Sequence, residues 1–202
     1  MDPASDEYLT LARDGRAELR VQASRFFAFA RRVEGEAEAA AQRAALKREY
    51  HDASHQPFAY RLADGAERSS DDGEPKGTSG PPILAQIRSV GLVNVQVVVV
   101  RYFGGTKLGK GGLVRAFGEA ARLALEDSGR RTQTRQGYLD VVAAPEIINT
   151  VRAVAGRFGA AVVTLSFGAS ARMRLALPAS RLDECRDALV QRFGSAILEV
   201  RT

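Results

Sequence analysis

A glycine-rich segment at residues 101–112 carries the most unusual chemistry of this 202-residue sequence. It holds five glycines and two lysines between a valine-rich run and an amphipathic helical pattern. Glycines let backbone N–H groups approach an oxyanion, the start of a helix adds partial positive charge, and lysines add full charges. The segment, together with Arg115 just beyond it, therefore predicts an anion-binding site. Its residues are Arg101, Gly104, Gly105, Lys107, Gly109, Lys110, Gly111, Gly112 and Arg115.

Two other interpretations of the same segment stay open. Residues 104–110 match the G-x-x-x-x-G-K pattern of nucleotide-binding loops, but Gly111 stands where a Ser or Thr should hold Mg²⁺. The glycines would also suit tight turns and close helix–strand packing, with the lysines merely solvated. Arg115 could likewise pair with Glu119 along one helix face.

An acidic turn precedes the glycine segment. Residues 69–75 place three carboxylates, those of Asp71, Asp72 and Glu74, within four positions. Carboxylate oxygens are ligands that Mg²⁺ prefers, so these residues are weak candidates for a metal site. Asp-Gly and Glu-Pro also favour turns, which gives the same residues a purely structural explanation. No cofactor is expected.

The distribution of charge is more informative than its total. The net charge is only +5, yet residues 75–118 contain no Asp or Glu and carry six basic side chains, which predicts a local positive surface. The one cysteine, Cys185, excludes an internal disulfide. No apolar run is long enough for a bilayer, and the acidic, polar start does not resemble a secretory signal. We therefore expect a cytoplasmic protein without a membrane partner.

Hydrophobic patterning predicts an α+β fold with two domains. The N-terminal domain is expected over residues 1–130, with helices at 34–50, 83–90 and 113–126 and strands at 19–33, 58–62 and 93–103. The polar residues 131–137 predict a linker.

The C-terminal domain is expected over residues 138–202. A faint repeat, in which residues 157–163 are echoed by 192–198, places a helix before an apolar strand twice. Ser180 and Asp183 fit a capping box at the second helix. Adding strands at 138–143 and 171–177 gives a ferredoxin-like βαββαβ module.

The chain also resembles a known family. Residues 69–75, 77–80, 99–109 and 111–116 resemble the signature of the IMPACT family, and the layout is similar to its bacterial YigZ-like branch. The resemblance implies an N-terminal fold like that of a ribosomal small-subunit protein domain and of domain IV of elongation factor G. It implies a C-terminal domain like the last, ferredoxin-like domain of that factor.

The resemblance further implies a role in the regulation of translation. Eukaryotic members restrain the amino-acid-starvation kinase by competing for its activator. They make that contact through an N-terminal domain that this sequence does not show, so that partner is not carried over. Gln56 and Pro57 also replace the Asn and Cys usual in YigZ-like relatives, which weakens any role for a thiol there.

Three functions are consistent with these residues. The leading hypothesis is a non-enzymatic, translation-associated regulator that binds RNA or the ribosome through the basic glycine-rich loop, residues 101–115. The alternative is an enzyme or sensor that binds a small phosphorylated ligand or nucleotide at the same loop. The third is a module whose loop meets an acidic protein partner in translation control.

Overall fold

The computed structural model describes residues 6–201. The chain divides into two compact units, one of residues 9–133 and one of residues 134–201 with residues 6–8. In chain order the elements are β1 (Glu7–Leu11), β2 (Gly15–Val21), β3 (Ser24–Arg32), α1 (Glu36–Glu49), β4 (Phe58–Arg61), β5 (Glu67–Ser70), α2 (Gly80–Ser89), β6 (Val95–Tyr102), α3 (Gly109–Ser128), β7 (Arg130–Thr134), β8 (Gln136–Ala143), α4 (Ile148–Gly156), β9 (Ala161–Phe167), β10 (Ala171–Pro178), α5 (Leu182–Phe193) and β11 (Ile197–Arg201).

The larger unit is built on a five-stranded antiparallel sheet in the order β2-β3-β6-β4-β5. Helices α2 and α3 cover one face and share a core with β3 and β6, while α1 packs on the other face through Leu46. The central strand β6 is therefore buried on both sides, which explains its unbroken run of valines. Its carboxyl end leads directly into the glycine-rich segment.

One predicted strand is wrong in extent. Residues 19–33 were expected to form one strand, but they belong to the hairpin of β2 and β3, in which Val21 pairs with Ser24. The turn has Gln22 in the left-handed region, at φ 53°. Neither Gln22 nor Ala23 is a typical turn residue, so the sequence carries no signal for the reversal.

Helix α3 begins four residues earlier than the apolar pattern predicts. It starts at Gly109 instead of residue 113, so Gly111 and Gly112 belong to its first turn and only residues 103–108 form a loop. Glycine is a poor helix former, and a pattern based on apolar spacing misses such a start.

The predicted linker is also wrong in its conformation. Most of residues 131–137 lie in β7 and β8, and β7 pairs with β1 in a two-stranded sheet. The side chains of Arg130, Arg131 and Thr132 in β7 are exposed, so its sequence lacks the alternation that marks a half-buried strand.

The smaller unit confirms the ferredoxin-like prediction. Its elements run β8-α4-β9-β10-α5-β11, and its antiparallel sheet has the order β11-β8-β10-β9. The predicted capping box is absent: Ser180 lies before α5 and its hydroxyl donates to the carboxylate of Asp6 instead. The α+β class with two domains is confirmed.

None of the helices within residues 6–201 combines the length and apolar character needed to cross a membrane.

Candidate functional site

The glycine-rich segment and the acidic turn meet at one open cavity of about 480 Å³. Its walls come from residues 54–55 after α1, from residues 74–75 of the acidic turn, from the end of β6, and from residues 107–110 at the start of α3. Two segments that the sequence left unconnected therefore form one site.

A buried ion pair lies at the base of this cavity. Nη1 of Arg101 donates to both carboxylate oxygens of Glu74, at 2.6 and 2.9 Å. The two side chains are only 6% and 2% exposed, and the guanidinium lies between the rings of Phe26 and Phe103, at 5.5 and 5.4 Å from their centroids. The expectation that Arg101 contacts phosphates on the surface is therefore wrong, because a guanidinium removed from water needs its carboxylate.

Ser24 connects the start of β3 to this pair. Its hydroxyl oxygen lies 3.5 Å from Nη2 of Arg101 and accepts a hydrogen bond from the backbone N–H of Gly104 at 3.4 Å. A side chain at Gly104 would overlap the carbonyl group of Ala23, so only glycine permits this approach. Gly104 therefore has a structural role.

Asp71 organises the acidic turn. One of its carboxylate oxygens accepts from the backbone N–H and the hydroxyl of Ser79 and from the N–H of Gly80, and the other accepts from the N–H of Gly77. Burial raises the pKa of Asp71, but the hydrogen bonds from Gly77, Gly80 and Ser79 outweigh it, so the pKa lies below its usual value. The carboxylate thereby holds the start of α2.

The other two carboxylates of the turn also bind protein groups. Asp72 accepts from the backbone N–H of Gln56 at 2.8 Å, and its carbonyl oxygen lies 2.8 Å from Nδ1 of His55. Glu74 binds Arg101, as described above. Residues 6–201 contain no group of three or more His, Cys, Asp or Glu side chains that could hold a metal ion. The turn therefore does not gather Asp71, Asp72 and Glu74 around a cation.

Three cations at the start of α3 remain exposed, and we call Lys107, Lys110 and Arg115 the basic rim. None of them has a carboxylate within 4 Å among the described residues. Glu119, which the sequence offered as a partner for Arg115, binds Arg122 instead at 2.7 Å. The basic rim therefore presents uncompensated positive charge to solvent.

The start of α3 adds to that charge. This 20-residue helix has no side-chain cap and no acidic residue in its first turn. The first N–H groups of a helix lack intrahelical partners and carry about half a positive charge. A side chain at Gly111 would meet nothing nearer than Arg115 at 3.6 Å, so packing does not require that glycine.

Sequence reasoning missed the contributions of Ser24, Ser54 and His55. The last two come from the chain after α1, some fifty residues before the basic rim. An isolated β-bridge between His55 and Arg101 brings them to the site. No local pattern marks such a bridge.

Comparison with known proteins finds relatives that belong to one family. The family model described as the Impact N-terminal domain matches residues 22–125. YigZ of Escherichia coli K12, an IMPACT family member, is 32% identical over 169 residues, which cover 81% of this chain and 82% of that protein. YvyE of Bacillus subtilis 168, another member, is 38% identical over 124 residues, 60% of this chain and 57% of YvyE. The match thus spans less than two thirds of YvyE.

A solved structure shares the fold along almost the whole chain. The crystal structure of a hypothetical protein superposes with a TM-score of 0.72 at 28% identity and covers 96% of both chains.

Replacing one partner of the buried ion pair should destabilise the larger unit strongly. Glu74→Gln keeps the shape of the side chain but leaves the charge of Arg101 buried and uncompensated. We expect the unfolding free energy, measured by urea denaturation, to fall by about 3–5 kcal/mol. Glu126→Gln is the matched control, since Glu126 pairs with Arg122 on the surface of α3, and should cost less than about 1 kcal/mol. Equal effects of the two substitutions would contradict the role given to Glu74.

The turn held by Asp71 should depend on pH. In Asp71→Asn the amide nitrogen cannot accept a hydrogen bond, so one of the two sets of N–H groups loses its acceptor, and we expect a loss of about 1.5–3 kcal/mol at neutral pH. Because the pKa of Asp71 is lowered on folding, its contribution is complete above the ordinary value of about 3.9 and disappears as the pH falls through the folded value. Urea unfolding over a pH series should show the difference between the wild type and the variant constant near neutral pH and shrinking as the pH falls below about 3.9. A difference that does not change with pH would rule out this role.

Proposed function

The chain belongs to the IMPACT family, and on that premise we propose that it is a translation-associated regulator that binds RNA or the ribosome through the basic rim. It acts by binding, without a catalysed reaction. The family resemblance supports the link to translation, and the geometry of Lys107, Lys110 and Arg115 supports the anionic ligand.

One observation carries the proposal: the positive charge at the start of α3 has no partner within residues 6–201. Lys107 and Lys110 are exposed beside a helix start that has neither an acidic residue nor a side-chain cap. Placing Lys110 in a first turn is electrostatically unfavourable, because the helix dipole is positive there. A phosphate group at this point would compensate both charges and bind the free N–H groups.

The arrangement of the three cations favours a polyanion over a single small anion. Lys107 and Lys110 border the cavity, whereas Arg115 borders a neighbouring depression between β2 and α3. Cations distributed over two depressions suit successive phosphates along a polynucleotide. Phosphate contacts of this kind supply most of the affinity in non-specific RNA or DNA binding.

Reversing two charges of the basic rim should remove most RNA binding. For Lys107→Glu with Lys110→Glu we expect a large loss of affinity for short RNAs and ribosomal subunits at low salt, because two phosphate contacts become repulsive. The slope of log affinity against log salt should become shallower by about 1.5, from two contacts at about 0.7–0.9 each. Fluorescence anisotropy across a salt series measures both quantities.

The matched control removes the same charge elsewhere. Arg152→Glu with Arg157→Glu changes two exposed cations of the smaller unit that have no ion-pair partner among the described residues, and lowers the net charge equally. This control should retain nearly full binding. Equal losses in the two double variants would show that the total charge matters and not the basic rim. Absence of any binding by the wild type at low salt would refute the proposal.

A second candidate function is the binding of a small phosphorylated ligand within the cavity. The specific observation is that Nε of Arg101 is buried without a hydrogen-bond partner among residues 6–201, although Arg101 borders the cavity. If a nucleotide or inorganic phosphate binds there at a hundred times its Kd, stability should rise by about 2.7 kcal/mol. Thermal unfolding with a nucleotide panel tests this, and an unchanged Tm throughout would exclude it.

A further inference from the structure

We propose that the outer face of the β2–β3 hairpin, beside the end of α1, stacks unpaired bases of single-stranded RNA. We call this surface the aromatic shelf and define it by Arg16, Arg25, Phe27, Phe29 and Tyr50. The inference rests on the proposed function, because it assigns single-stranded RNA as the ligand of the same larger unit.

The shelf follows from the alternation of side chains in β3. Phe26 and Ala28 point into the core under α2 and α3, so Phe27 and Phe29 lie on the opposite face. Helix α1 covers part of that face but leaves the edge strand β2 accessible. Four of the five shelf residues, all but Arg25, line a depression of about 300 Å³, and Glu18 lines it with them.

Arginine guanidinium groups lie over two of the aromatic rings of the shelf. The guanidinium of Arg25 lies 4.7 Å from the ring centroid of Phe27, and the side chain of Arg25 is 47% exposed. Tyr50 stacks against Phe27 with the centroids 6.3 Å apart and the planes inclined by 28°. Arg16 lies over Phe29 at 5.7 Å, and because that ring is only 5% exposed, a base would meet the guanidinium of Arg16 and not the ring of Phe29. Unpaired bases stack on both kinds of plane, aromatic rings and guanidinium groups.

The charge of the shelf and its surroundings favours a phosphate backbone. The outer face of the β2–β3 hairpin carries Arg16, Arg20, Arg25 and Arg31 against two acids, Glu18 and Asp14. Two further acids come from the end of α1 and the residues after it, where Glu49 lies beside Tyr50 and Asp52 accepts from the hydroxyl of Tyr102. Glu18 binds both Arg20 and Arg25, at 3.0 and 3.1 Å, and Asp14 lies 3.8 Å from Arg31. The guanidinium of Arg16 has no carboxylate partner among residues 6–201. The guanidinium of Arg16 is therefore the cation of the shelf that is left for a phosphate.

The shelf is connected to the basic rim through the end of β6. Tyr102 pairs with Arg25 across β3 and β6, and its ring meets Phe27 edge-on with the centroids 6.0 Å apart. The next residue, Phe103, begins the loop that carries Lys107. The shelf faces away from α3, so a single strand whose phosphates contact the basic rim would pass around the end of β6 to reach it. A duplex keeps its bases paired and away from the rings.

The experiment removes the planar groups of Arg25 and Phe27 and keeps the positive charge at residue 25. Arg25→Lys with Phe27→Leu preserves the cation and an apolar side chain, so purely electrostatic binding should not change. The probes are an RNA of about 12 nucleotides, its duplex, an abasic oligomer of equal length and polyglutamate. We expect the wild type to bind the single strand about tenfold more tightly than the abasic oligomer, and the variant to lose that preference. For the duplex, and likewise for the abasic oligomer, the wild type and the variant should have the same affinity.

A matched control tests the same chemistry in the other unit. Arg174 lies 5.5 Å from the ring centroid of the exposed Tyr138, and Arg174→Lys with Tyr138→Leu should leave every affinity unchanged. Thermal unfolding of each variant verifies that it is folded.

The possible outcomes separate this inference from the function on which it rests. If the wild type binds all RNA probes equally and Arg25→Lys with Phe27→Leu changes nothing, the shelf is not a base-stacking surface, while RNA binding by the basic rim stands. If polyglutamate binds and no RNA does, the partner is an acidic protein, and both proposals fall. If the wild type binds none of the probes, both proposals fall as well.

Discussion

The buried ion pair between Glu74 and Arg101 is the interaction on which the candidate site depends. Both charged groups are buried away from water, and their mutual attraction offsets the desolvation cost only if the geometry of the pair is well defined. The pair joins the acidic turn to the end of β6, and Ser24 joins both to the loop at Gly104. The cavity exists because these segments meet there. The basic rim begins at Lys107, three residues beyond Gly104 in the same loop.

Ion pairs divide the six cations of residues 75–118, which contain no acid, into two groups. Arg88 binds Glu67 and Arg101 binds Glu74, so their charges are compensated within the protein. Lys76, Lys107, Lys110 and Arg115 have no such partner among the described residues. A positive patch inferred from composition would count all of them equally. Only the second group is left for an external anion, and three of its four members, all but Lys76, gather at the start of α3.

The parts of the fold that depend on local patterns could be predicted. The ferredoxin-like unit follows from alternating strands and helical spacing within short segments, and the strand of β6 follows from its valines. The start of α3 and the β2–β3 turn could not be predicted, because glycine disfavours helices and Gln22 carries no turn signal. The burial of Arg101 depends on Glu74, 27 residues earlier in the chain, and only the assembled sheet brings them together. The aromatic shelf could not be predicted for a similar reason. A single strand over residues 19–33 would place no neighbouring edge strand beside Phe27, whereas the β2–β3 hairpin does.

Mapping the backbone amides of the protein during an RNA titration tests the central claim most directly. Heteronuclear NMR with a short single-stranded RNA would report the N–H groups of residues 107–112 individually. If the basic rim and the start of α3 hold phosphates, these amides should show the largest shifts, and the shifts should diminish as salt is added. Saturable shifts confined to the smaller unit, with residues 107–112 unchanged, would contradict the assignment of the site to the start of α3.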